Sequence, residues 1–338
     1  MAQPVEHFTM QRQLKALSWN INGVHGSGRT NIPHQKAFTE HYSLKARWPK
    51  ILTEVIEENP DIGCVFEISR TFLEMIETDL KKHYTTVKSF AYAPNQVPDT
   101  SFYFTLFSNI ELDNLYAYSA TSTPFALLTK EERSNDSVLK GLNEGFEKTL
   151  LVAEFHINEQ QYVYGITHYG LRYPYQQLCS DMFSEYLHTQ YPKSKIFVTG
   201  DFNTFPTADK PYDARTLEPF EKCGLRELVG DQITFCGFPD DFGLLHTQDA
   251  KDNVASVHQF AENTDNMEDI RKKCAETIFE IRNGLIASGL DRVLTNIPSL
   301  TVSVKLKLPS NDEFVQCAAE GKLCNLSDHA CIIITFNV

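Results

Sequence analysis

The segment KIFVTGDFN (195–203) decides how the chain is to be read. Ile196, Phe197 and Val198 make a short apolar run of the kind that forms a strand buried on both faces, and it ends at once in Gly200, Asp201 and Asn203. A carboxylate at the tip of a buried strand is costly unless it is paired or bound to a metal. Asp201 therefore calls for partners from elsewhere in the sequence.

Working outward, the same type of run recurs at 14–21, 62–68, 101–107, 149–157, 161–169, 289–296 and 329–338, each bounded by turn residues. Between them, 46–58 places Trp48, Ile51, Leu52, Val55 and Ile56 at helical spacing before Asn59 and Pro60 stop the helix. The stretch 175–188 does the same with Leu178, Met182, Phe183 and Tyr186. Strands joined by a short turn at 158–160, set among strand–helix–strand units, predict mixed sheets covered by helices: a layered α/β sandwich.

Several of these strands end in polar residues. Asn20 and Asn22 close the first, Glu67 tips the second, and His168, Asp291, Asp328 and His329 occupy the same kind of position. Each has an ordinary reading alone: Asn20 as a turn residue, Glu67 as a solvated strand end, His168 as a hydrogen-bonded core histidine, Asp291 as the ion-pair partner of Arg292. Six strand ends sharing the pattern predict one convergent site at a sheet edge.

Charge limits what that site would bind. The 338 residues carry 31 Lys and Arg against 44 Asp and Glu, a net charge of −13. Such a surface disfavours wrapping long polyanions but suits a site that gathers hard divalent cations on oxygen ligands. A locally basic stretch, Arg29, His34, Lys36, Lys45, Arg47 and Lys50, is read first as a solvated loop and helix face. The eight cysteines are scattered without a C-x-x-C pair, which predicts reduced structural thiols. With neither a signal-peptide pattern nor an apolar span of about 20 residues, a cytoplasmic or otherwise soluble protein is expected. Residues 1–13 read as a tail and 14–338 as one catalytic domain, with a polar, partly helical insertion at about 239–282.

The ordered series W-N-x-N-G (19–23), Glu67, T-H (167–168), G-D-F-N (200–203), L-D-R (290–292) and S-D-H (327–329) resembles the endonuclease/exonuclease/phosphatase superfamily, and the resemblance covers nearly the whole chain. It implies a DNase I-like four-layered α/β sandwich of two packed mixed β-sheets flanked by helices. It also implies a phosphoesterase that hydrolyses a phosphodiester or phosphomonoester by direct attack of an activated water. In that reading Glu67, Asn22 and Asp328 hold Mg²⁺, with Mn²⁺ or Ca²⁺ as substitutes. Asp201 activates the water, Asn20, His168, Asn203 and His329 contact the phosphate, and Asp291 orients His329.

Two departures from the family pattern matter. Asn22 stands where many members have Asp, which removes one negative charge from the metal site. The aromatic motifs of inositol polyphosphate 5-phosphatases are not present, since the chain reads V-T-G-D-F-N and G-L-D-R instead. Charge favours a small-molecule or lipid phosphoester as substrate. The alternatives are a DNA or RNA nuclease or tyrosyl-DNA phosphodiesterase-like repair enzyme, and an interaction protein that binds a partner through the insertion.

Overall fold

Buried apolar runs and amphipathic helices assemble into two sheets in a computed structural model, which describes residues 12–22, 44–92, 102–119, 149–170, 173–204, 212–237, 259, 263, 269, 286–306, 327 and 329–338. The first sheet contains β1 (Gln13–Asn20), β2 (Ile62–Ser69), β3 (Thr86–Tyr92), β4 (Phe102–Ser108), β13 (Thr301–Lys305) and β14 (Cys331–Asn337), in the order β13-β14-β1-β2-β4-β3. The second contains β5 (Asn114–Ser119), β6 (Thr149–Ile157), β7 (Gln160–His168), β8 (Lys195–Asp201), β9 (Arg226–Glu227) and β12 (Asp291–Thr295), in the order β5-β6-β7-β8-β12-β9. A short ribbon pairs β10 (Phe235–Gly237) with β11 (Ile286–Ser288).

Each large sheet has one parallel pair at its centre, β1 with β2 and β7 with β8, and is otherwise antiparallel. Parallel neighbours need a crossover, which helices supply. Helix α1 (Leu44–Glu58) lies between β1 and β2, and α3 (Tyr173–Gln190) lies between β7 and β8. Helix α2 (Arg70–Leu80) follows β2, and the short α4 (Glu218–Lys222) follows β8.

Period-two alternation assigns the faces. Leu14 and Ala16 of β1 join Phe66, Phe104, Tyr164, Ile166, Phe197 and Phe336 in the core between the sheets. Leu17 and Trp19 point the other way and pack with Trp48, Ile51, Val55, Ile76 and Leu80 of α1 and α2. On the far side Leu178, Met182, Phe183 and Leu187 of α3 and Phe220 of α4 cover Leu150, Val152, Val163 and Val198. The layers run helix, sheet, sheet, helix, as the sequence resemblance implies. Each fully buried side chain of this size contributes about 1.5–3 kcal/mol relative to exposure. Ile56, grouped with the apolar face of α1 by its spacing, is instead exposed.

Cys64, Cys179, Cys223 and Cys331 are free thiols, as expected, and all but Cys223 are buried. No helix among the described residues is long and apolar enough to cross a membrane. The predicted insertion at 239–282 lies outside the described residues except for Gln259, Asn263 and Asp269.

One glycine is needed to bring β8 to its polar tip. Gly200 has φ +141°, a region that side-chain-bearing residues avoid, and a Cβ there would overlap the Thr167 carbonyl oxygen on β7. Gly200→Ala is expected to destabilise the protein by about 2–5 kcal/mol, combining backbone strain with overpacking. Urea unfolding checks this; a variant within 1 kcal/mol of wild type would show that the strand end tolerates the side chain.

Candidate active site

All four strands of the two parallel pairs carry polar residues to one end of the sandwich, where β12 and β14 begin. In the second sheet the register sets His168 opposite Asp201 and Asp201 opposite Asp291, a row across three adjacent strands. Two buried carboxylates side by side repel, and His329, just ahead of β14, sits between them. Its Nδ1 is 2.9 Å from Asp291 Oδ2 and its Nε2 is 3.6 Å from Asp201 Oδ2. Phe235 packs against the same ring at 4.8 Å between centroids.

Asp201 is 2% exposed. Its Oδ1 accepts the Asn203 N–H at 2.7 Å, and its Oδ2 accepts Asn20 Nδ2 across the sheets at 3.2 Å. Burial is the main force on this carboxyl. Asp291 adds to it, the positive side of His329 and the two hydrogen bonds oppose it, and the pKa is pushed up to about 7. His168 Nε2 lies 3.4 Å from Asp201 Oδ2. Burial, reinforced by the proximity of His329, pulls the His168 pKa down to about 3, so this imidazole is neutral at physiological pH.

The first sheet presents its residues beside these. Ile21 N–H donates to the Phe66 carbonyl at 3.1 Å, so Asn22 and Glu67 leave the sheet side by side. Glu67 lies in a β-bulge, because the pairing of β2 with β4 slips between Val65 and Ile68, and it has φ +63°. Bulges of this kind turn a side chain out of the ladder's alternation. Asn22 has φ +44° and donates its N–H to Asn20 Oδ1 at 3.0 Å. Ser327 Oγ donates to the Asn20 carbonyl at 2.8 Å and accepts the His329 N–H at 3.2 Å, tying the segment before β14 to the end of β1.

A family model described as the endonuclease/exonuclease/phosphatase family matches residues 17–329, which run from β1 to His329. The chain belongs to this family. Comparison with curated proteins finds no match. Among solved structures, the human nocturnin catalytic domain with bound sulfate has a TM-score of 0.55 at 15% identity, over 96% of this chain and 93% of that one. A Bacteroides thetaiotaomicron mannosyl-6-phosphatase gives 0.54 at 14%, over 95% and 98%. TDP2 from Caenorhabditis elegans gives 0.52 at 16%, over 97% of this chain and 75% of that one. At these identities the likeness is one of fold.

Within the endonuclease/exonuclease/phosphatase family fold, the site residues named from the sequence fall as follows. Asn20, His168, Asp201, Asn203, Asp291 and His329 come together, with Asn22 and Glu67 on the neighbouring strand ends; Asp328 lies outside the described residues. Asn20 and Asn203, read as phosphate donors, each direct one amide N–H into the protein, Asn20 to Asp201 and Asn203 to the Tyr169 carbonyl at 2.6 Å. The second N–H of each amide is the one that a ligand would use. Asp291 pairs with His329 rather than with Arg292, whose own carboxylate partner is Glu227 at 3.6 Å. Arg47 is no part of a basic surface. It is 5% exposed, and its guanidinium holds the carbonyls of Ile21 and Asn22 at 2.9 and 2.7 Å.

Two residues were not legible from the sequence. Tyr92 OH lies 2.8 Å from His168 Nδ1, and Gln176 Nε2 donates to the Asn203 carbonyl at 2.6 Å. Among the described residues no group of three or more His, Cys, Asp or Glu could hold a metal ion. Glu67 and Asn22, on neighbouring strand ends, are oxygen donors of the type that a hard divalent cation takes.

Proposed function

We propose that the protein is a divalent-metal-dependent phosphoester hydrolase whose single catalytic domain spans 14–338 and acts on a compact substrate. The observation that carries this reading is a buried carboxyl, Asp201, faced by two imidazoles at one end of both sheets, where burial raises its pKa above the usual carboxylate range. A base of that pKa is suited to taking a proton from water at physiological pH.

In this mechanism Asp201 Oδ2 accepts the proton of the attacking water, whose oxygen bonds to phosphorus as the bond to the leaving oxygen breaks. The neutral His168 donates from Nε2 to a phosphoryl oxygen. His329, held at Nδ1 by Asp291, presents Nε2 to the same group, and Asn203 adds an amide donor. These fixed donors stabilise charge that builds up in the transition state. Mg²⁺ held by Glu67, Asn22 and Asp328 would supply further neutralisation of the phosphoryl oxygens.

Compactness of the substrate is argued from charge. The net charge is −13, and within the basic stretch read from sequence Arg47 is buried, while Lys45 and Lys50 are exposed and Arg29, His34 and Lys36 lie outside the described residues. Chromogenic phosphomonoesters and phosphodiesters, assayed with Mg²⁺, Mn²⁺ or Ca²⁺ and with EDTA, test the reaction. Hydrolysis lost to EDTA and restored by Mg²⁺ is expected; no turnover with any metal would sink the reading and leave the interaction-protein alternative. A panel of sugar phosphates, inositol phosphates, sphingomyelin, RNA, single-stranded DNA, abasic DNA and 5′-tyrosyl DNA then ranks substrates. Steeply salt-dependent affinity for the DNA members would overturn compactness in favour of the nuclease alternative.

A further inference from the structure

Tyr92 ends the edge strand β3 and is 2% exposed. Its ring stacks on Phe104 at 4.1 Å, which fixes the hydroxyl between two groups of the site. One is the backbone N–H of Glu67 in the β2 bulge, which hydrogen-bonds the phenol oxygen. The other is His168 Nδ1 at 2.8 Å, with the imidazole ring flanked by Tyr92 and Phe66.

The direction of these bonds follows from donor and acceptor chemistry. A backbone N–H can only donate, so the phenol oxygen is the acceptor there. The phenol keeps its own proton, as any tyrosine does near pH 7, and its O–H is left to donate. A buried O–H left without an acceptor is costly, and the one it meets among the described residues is His168 Nδ1. Nδ1 then has its lone pair engaged and the ring proton resides on Nε2. The opposite end of the ring agrees, since Nε2 faces Asp201 Oδ2 at 3.4 Å, where a carboxylate calls for a donor.

We propose that Tyr92 is a positioning residue that locks His168 in the Nε2–H tautomer and ties its orientation to the Glu67 bulge, so that the imidazole offers a fixed donor beside Asp201. The inference rests on the hydrolase reading for its consequence in catalysis but not for the tautomer itself. The residue acts through His168 and Glu67 rather than on the substrate. It also links the two halves of the site, because one hydroxyl joins the strand end that carries the metal-binding carboxylate to the strand end that carries the phosphate-binding imidazole.

The test is long-range ¹H–¹⁵N correlation NMR on histidine-labelled protein near pH 7, with His168 assigned by comparison with His168→Gln. Wild type is expected to show an unprotonated, hydrogen-bonded Nδ1 and a protonated Nε2. Tyr92→Phe keeps the ring stack and removes the hydroxyl. It is expected to give a mixture of tautomers, with kcat lower by about tenfold, the scale of one lost buried hydrogen bond, and KM within about twofold. A proton on Nδ1 in wild type, or an unchanged tautomer in Tyr92→Phe, would overturn the proposal. The spectra need no substrate, so a protein without turnover would refute the hydrolase reading and still leave the tautomer decided.

Discussion

Asp201→Asn is expected to abolish hydrolysis, by roughly 10²–10⁴-fold in kcat, while gaining stability relative to wild type as pH rises from 5 to 8. Loss of activity follows because an amide cannot take the water's proton. The stability gain follows from linkage. The folded-state pKa of Asp201 is about 7 against an ordinary 3.8, so between those values the folded protein holds a proton that the unfolded chain has released. Stability therefore falls as pH rises through that window, and above about 7 the full penalty of an ionised buried carboxylate is present. Asparagine removes the penalty and keeps an oxygen to accept the Asn203 N–H, but its amide nitrogen stands where Oδ2 accepted Asn20 Nδ2 and faced His168 Nε2, a loss that is the same at every pH. Melts of both proteins at pH 5 and pH 8 should show the variant's stability relative to wild type higher at pH 8 than at pH 5. A stability difference between variant and wild type that does not change from pH 5 to pH 8, or a variant retaining about a tenth of the activity, would contradict the placement of a strained base at this strand end. The wild-type rate should rise with pH through the same region, since the base works only when deprotonated.

What the sequence reveals of this fold depends on where a strand sits in its sheet. Strands β1, β2, β4, β6, β7, β8, β12 and β14 are interior to the two large sheets, and each reads as a continuous apolar run with boundaries within two residues of those observed. The strands that escape notice in the large sheets are β3, β5, β9 and β13, and all four are sheet edges. An edge strand packs on fewer neighbours and carries residues such as Lys88, Ser89 and Lys305 that blunt its exposed ladder, so its hydrophobic pattern is diluted. Helix α2 escapes for a related reason, since only Ile76 and Leu80 of its residues are buried. The site follows the same division. Asp201, His168, Asp291 and His329 are legible together, because each has an ordinary local reading alone but the same polar ending on six buried runs does not. Tyr92 is not, because a tyrosine on an edge strand is ordinary, and only the fold shows its hydroxyl against His168 and the Glu67 backbone. The bulge that re-aims Glu67 has no sequence signature either, as it is built on a non-glycine residue with positive φ.

Arg292 is expected to be the costliest polar side chain to remove. It is fully buried, and its guanidinium donates to the Gly230 carbonyl at 2.7 Å and to the Gly289 carbonyl, lies 3.6 Å from Glu227 and stacks over the Tyr212 ring at 3.6 Å. Gly289 is glycine because a Cβ there would occupy the space of the guanidinium. The side chain thus fastens the turn after β9 to the turn before β12. Asp291 is the residue before Arg292, and its N–H is held by Thr234 Oγ1 at 2.8 Å in the same region. Arg292→Met fills much of the volume but leaves two buried carbonyls and Glu227 without their cation. Breaking a buried pair in this way costs about 3–5 kcal/mol, a large part of the total stability of an ordinary domain. Arg292→Lys restores the charge without the planar fork, so it can satisfy one carbonyl and not both, and it is expected to recover less than half of the loss. Both variants should lower kcat as well, since loosening the 289–292 turn moves Asp291 and frees His329 to rotate. Urea denaturation with parallel kinetics on a chromogenic ester decides the matter. Full recovery by lysine would mean that charge alone matters here, and a stable Arg292→Met variant with normal kcat would show that Asp291 is positioned by the β8–β12 ladder without help from its neighbour.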